Sequence, residues 1–184
     1  MNCITKETQN QIEVKRSKFI AIAMPYLLFE KRLQEIQKEH PKANHIVWAY
    51  RKLNRYNQIV ENSSDDGEPK GAAGVPLLKV MQGNNLINSA IVVVRYFGGI
   101  KLGVGGMARA YMSAAKSVLQ SCELKPFIQE EQFKFSIPYN KQRNVEFIFK
   151  KLAITPKRLF LPERIEYEIT ASKEKIKRIK ELLL

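Results

Sequence analysis

The 184-residue chain carries 31 Lys and Arg against 18 Asp and Glu, a net charge of +13, with 45% hydrophobic and 27% charged residues. This balance excludes a disordered chain, and no apolar run approaches the ~20 residues that cross a bilayer. Two isolated cysteines, Cys3 and Cys122, exclude a cysteine-based zinc site, and an N-terminus without an apolar core is unlike a secretory signal, so a cytoplasmic protein is expected.

Alternation of Ile12 and Val14 with polar residues, followed by the apolar run Phe19–Met24, predicts a strand region over 11–24. Leu28, Leu33 and Ile36 then repeat at helical spacing until His40-Pro41. Short β-type runs over 45–51 and 56–61 flank a polar KLNR, as in a hairpin. The stretch ENSSDDGEPKG reads as a polar loop, and 72–82 as a short helix that tolerates Pro76 only near its first turn. Residues 90–97 are apolar and β-branched, which predicts a strand buried on both faces. A glycine-rich segment leads into a helix over 105–121, whose stripe of Met107, Tyr111, Ala114, Val118 and Cys122 faces a core and whose other side carries Arg109 and Lys116.

Past Pro126 the chain has no glycine and denser charge. A strand is expected over 131–137, a helix over 140–152, strands over 154–161 and 165–170, and a final helix capped by Ser172. This β-α-β-β-α order lacks only the last strand of the ferredoxin-like βαββαβ pattern. Residues 1–125 carry 18 basic and 10 acidic residues, and 126–184 carry 13 and 8. Both parts are basic, which favours polyanionic partners.

Three stretches are able to carry chemistry. All nine glycines fall between Gly67 and Gly106, most densely in RYFGGIKLGVGGMARAY, Arg95 to Tyr111. A strand, a glycine turn and a helix start can make an anion cradle from backbone N–H groups, here Gly98, Gly99, Gly103, Gly105 and Gly106, with Arg95, Lys101 and Arg109 around it. Neither a P-loop nor a full GxGxxG is present, so a tight strand-to-helix turn is the plainer alternative. The second stretch, SSDDGEPKGAAG, places Asp65, Asp66 and Glu68 within four residues. Such carboxylates suit Mg²⁺, or else cap the next helix and pair with Arg95 or Arg109. The third, HIVWAYRK, sets Trp48 and Tyr50 beside Arg51, as base-stacking surfaces do, with a core or interface as the commoner alternative. Lys15, Arg16, Lys18 and Arg51 extend the basic surface.

Taken together, HIVWAYR, SDDGEPKGAAGVPLL and VVVRYFGGIKLGVGGMARAY resemble the YigZ/IMPACT family over roughly residues 10–125. The resemblance implies an α+β protein. Its 1–125 domain is expected to be like domain two of the small-subunit ribosomal protein five and domain IV of elongation factor G. Its 126–184 domain is expected to be ferredoxin-like, similar to that factor's domain V, about one strand short of the full pattern, which leaves open whether its sheet is complete. Departures from the family pattern are Lys70 in place of a small hydroxylated residue, Ala72 in place of threonine and Val47 in place of cysteine. The resemblance further implies nucleic-acid or ribosome association in translation control, without established enzyme activity. The leading expectation is therefore a non-enzymatic RNA or ribosome binder that needs no cofactor. An Mg²⁺-dependent nucleotide-binding enzyme and a protein-interaction module of the translation machinery are the alternatives.

Overall fold

The computed structural model describes residues 1–183, which form two compact units that part between Phe127 and Ile128. Both mix helices and strands.

The first unit is built on a five-stranded antiparallel sheet. Its strands are β2 (Thr8–Val14), β3 (Ser17–Pro25), β4 (His45–Leu53), β5 (Ile59–Ser64) and β6 (Ser89–Tyr96), in the order β2-β3-β6-β4-β5. A separate pair joins β1 (Asn2–Ile4) to β7 (Leu124–Pro126). Strand β6, SAIVVVRY, is buried along all but its last residue, because it is central and covered on both faces. One face is covered by α2 (Gly74–Gly83) and α3 (Val104–Gln120), and the other by α1 (Tyr26–Glu39). The expected α3 stripe is the buried face, with small Ala110, Ala114 and Ala115 bringing the helix close to the sheet and Tyr111 meeting Phe19 edge-on at 5.2 Å.

Two boundaries of this unit differ by three residues or more from the sequence expectation, and in the second unit the strand expected over 154–161 begins only at Lys157. The single strand region expected over 11–24 is a hairpin, turned at Lys15 and Arg16 with φ of +48° and +65°. Those left-handed conformations make the tight two-residue turn whose twist suits a hairpin, although Asn-Gly is its usual sequence. The strand expected over 56–61 instead runs Ile59–Ser64, so part of the expected polar loop is an edge strand. Its polar side chains are tolerated because an edge strand is covered on one side only.

The second unit has a three-stranded antiparallel sheet of β8 (Glu130–Pro138), β9 (Lys157–Phe160) and β10 (Arg164–Ser172), ordered β8-β10-β9. A 3₁₀ turn over Tyr139–Lys141 leads into α4 (Gln142–Leu152), and α5 spans Lys173–Leu183. Ile165, Tyr167, Ile169 and Ala171 alternate onto the face that α4 and α5 cover through Val145, Phe149, Ile176 and Ile179. Ser172 Oγ accepts from the Lys175 N–H at 3.3 Å, the expected cap of α5. Among the described residues, no helix is long and apolar enough to cross a membrane.

Candidate basic surface and cavity of the first unit

After β6 the glycine segment crosses the end of the sheet and enters α3. Gly98 lies against the β2–β3 turn: a Cβ there would sit 2.0 Å from the Arg16 carbonyl carbon. Its N–H donates to Ser17 Oγ at 3.2 Å. Gly103, just before α3, has φ +69° and open space around it. Gly99 shares the positive φ, and Gly105 and Gly106 lie in the first turn of α3.

Around this segment the structure gathers Lys101 in the loop, Arg109 with its guanidinium near Gly105, Arg16 and Lys15 in the turn against Gly98, and Lys18 opposite Tyr96. Lys101, Arg109, Lys15 and Arg16 are exposed and Lys18 half-buried. Among the described residues, salt bridges in this unit are made by other cations.

Arg95 and Arg51, expected beside these cations on the surface, are both buried. Arg95 Nη1 donates to Glu68 Oε1, which also accepts from the Tyr111 hydroxyl at 2.8 Å. Burial, reinforced by the Glu68 carboxylate, pushes the Tyr111 phenol far above its usual range, so it remains a donor. Arg51 donates from Nε to Glu61 at 3.1 Å and from Nη1 to the Leu86 carbonyl at 2.8 Å. Both arginines sit on strands with inward-facing side chains, and desolvation makes each take its counterion from within the unit.

The three acids of the DDGEP loop diverge. Asp65 accepts the N–H groups of Gly71, Ala73 and Gly74 at 2.7, 3.1 and 2.8 Å, which closes the N-terminal end of α2. Asp66, at φ +46°, accepts the Ile46 N–H and fastens the loop to β4. Glu68 turns inward to Arg95. Among the described residues, no group of three His, Cys, Asp or Glu side chains is arranged to hold a metal ion. Burial alone would raise the Asp65 carboxyl, but its three backbone donors hold it below its usual value. Its stabilising effect is therefore present above the ordinary aspartate pKa of about 3.9 and lost as pH falls through the lower folded value. Asp65→Ala is expected to lower stability by about 1–2 kcal/mol in denaturant melts at pH 7 and to flatten their acid-side pH dependence.

Sequence reasoning missed two contributors. His45 donates from Nδ1 to the Asp66 carbonyl at 2.7 Å, because a carbonyl can only accept, and its Nε2 lies 3.7 Å from Glu68 Oε2. The helical stripe places Tyr111 in the core, and nothing in its spacing marks it as a partner of Glu68. Beside these groups opens a cavity of about 410 Å³, lined by Phe97, Lys101, Leu102, Val104 and Met107, with His45 and Arg95 also contributing. The arrangement suits binding: cations outside, an apolar hollow within, and an internal ion pair holding its wall.

The fold and this surface define a two-unit α+β protein with a basic, glycine-bordered face. The Impact N-terminal domain model matches residues 15–119, and the chain belongs to the IMPACT family. An IMPACT family member of Haemophilus influenzae is 36% identical over 149 residues, covering 77% of this chain and 70% of that protein. The IMPACT family member YvyE of Bacillus subtilis is 32% identical over 167 residues, covering 87% and 74%. In fold, a crystal structure of a hypothetical protein matches with a TM-score of 0.69 at 23% identity, covering 99% of this chain and 90% of that one.

Proposed function

We propose that this IMPACT family member is a non-enzymatic cytoplasmic regulator of translation that binds RNA or the ribosome through the basic face of its first unit. The observation that carries this reading is the set of cations around the glycine loop, Lys15, Arg16, Lys18, Lys101 and Arg109, none of them spent on a carboxylate of the described residues. A surface that leaves such charges unpaired gains most from a polyanion, by releasing its condensed counterions. Backbone N–H groups at the start of α3 add to the same field. The β-α-β-β-α order and β8-β10-β9 sheet of the second unit support a ferredoxin-like reading. The antiparallel sheet of the first unit is compatible with the ribosomal-protein-like domain that the family resemblance implies.

Titration of ribosomal RNA across a salt series tests the proposal. Log affinity is expected to fall linearly with log salt, and the double variant Lys101→Ala/Arg109→Ala to reduce the slope by about 1.4, some 0.7 per phosphate contact on single strands. Salt-independent binding, or none to RNA or ribosomes at low salt, overturns it.

A further inference from the structure

The cavity beside the α3 N-terminus has features that attraction to a polyanion does not require. Its volume of about 410 Å³ lies near the small end of ligand pockets, roughly 300 to 1,000 Å³. Its walls include Phe97, Leu102, Val104 and Met107. Phe97 is 46% and Val104 60% exposed, so apolar surface opens outward between cations. Arg95 also lines it, only 5% exposed, with Nη1 held by Glu68 and with an Nε–H that has no acceptor among the described residues. That Nε is closed off from the surface, so it belongs to the wall of the hollow. Lys101 stands in the lining, and Arg109 lies beside Gly105 at the start of α3. The hollow thus offers apolar walls and an aromatic ring for a flat group, and cations for adjacent phosphates.

We propose that this cavity receives an unstacked base of single-stranded RNA, with flanking phosphates on Lys101 and Arg109. The inference rests on the RNA reading above and narrows it, because the bases of a duplex are stacked and cannot enter unless extruded. A free nucleotide carries the same base and phosphate. A strand is favoured because the unpaired cations continue past Gly98 to Arg16 and Lys15, further than one phosphate requires. Aromatic stacking beside cations that track the backbone is how single-stranded sites hold a base.

The test titrates the full chain, across a salt series and compared at matched salt, with a labelled single-stranded RNA of mixed sequence, the matching duplex, and an abasic strand of equal length. Binding to the single strand is expected to exceed both others by about tenfold or more. Phe97→Ala is expected to erase that preference while leaving the salt slope intact, and Val104→Asp, at an exposed position, to block entry independently. Equal binding of all three ligands, or both variants keeping the wild-type preference, overturns the base site and leaves the basic face standing. Failure of all three to bind at low salt overturns the RNA reading itself. A photoreactive side chain at Val104 that captures protein and no RNA in cells also overturns the base site.

Discussion

Glu68→Ala is expected to destabilise the first unit by about 3–5 kcal/mol, because it strands the buried Arg95 guanidinium without its counterion. Domains of this size are stable by only about 5–15 kcal/mol, so the loss is a large share of the total. Tyr111 would lose its acceptor in the same step, since its hydroxyl shares Glu68 Oε1. Trp48 is the only tryptophan and lies in the first unit, so its fluorescence in urea reports this unit directly. Replacing both partners, Glu68→Met with Arg95→Met, is expected to cost less than the single change, because no unpaired charge is left buried. A single variant as stable as wild type would show that water reaches the pair, and would remove the case for an internal strut behind the cavity.

Gly98→Ala is expected to cost about 2–3 kcal/mol or more and to disturb the basic face together with the fold. The added methyl would meet backbone, 2.0 Å from the Arg16 carbonyl carbon and 2.4 Å from the Ser17 nitrogen, and backbone cannot swing aside as a side chain does. The β2–β3 turn must retreat, carrying Lys15 and Arg16 away from the loop. Gly105→Ala provides the contrast: its methyl would meet only the Arg109 Nη1 at 3.7 Å, an ordinary contact. Within the first turn of α3 it is expected to be neutral or stabilising by up to about 1 kcal/mol. Urea midpoints of the two variants, with RNA titrations of each, separate a packing glycine from a merely helical one. Equal stability of the two would mean that the turn and the loop move independently.

Elements with strong periodicity were legible from sequence. The stripe on α3 and the apolar β6 run each dictate one mode of burial, and both lie where the pattern places them. The Lys15–Arg16 turn was not legible, because neither residue carries the local preference for positive φ that Asn or Gly would advertise. The C-terminal half of edge strand β5 was hidden for a related reason: Asn62, Ser63 and Ser64 look like loop, and only pairing with β4 makes them strand. At the site, the grouping of Lys101, Arg109 and the glycines follows from their closeness in sequence. The inward turn of Arg95 follows from strand parity, which a one-residue uncertainty in register leaves open. Capping of the next helix and pairing with Arg95 were both among the alternatives for the three acids, but which acid does which depended partly on partners 20 or more positions away, Ile46 for Asp66 and Arg95 for Glu68.

The β1–β7 pair has a consequence in time. Cys3 and Lys125 face one another although 122 positions separate them. On a growing chain made at about 5–20 residues per second, β1 therefore waits on the order of ten seconds for its partner. The five-stranded sheet lies wholly between the two strands in sequence, so it is free to assemble during that wait, and the pair acts as a late clasp rather than a nucleus. Substitutions in β1 are then expected to speed unfolding while leaving the refolding rate of the sheet nearly unchanged.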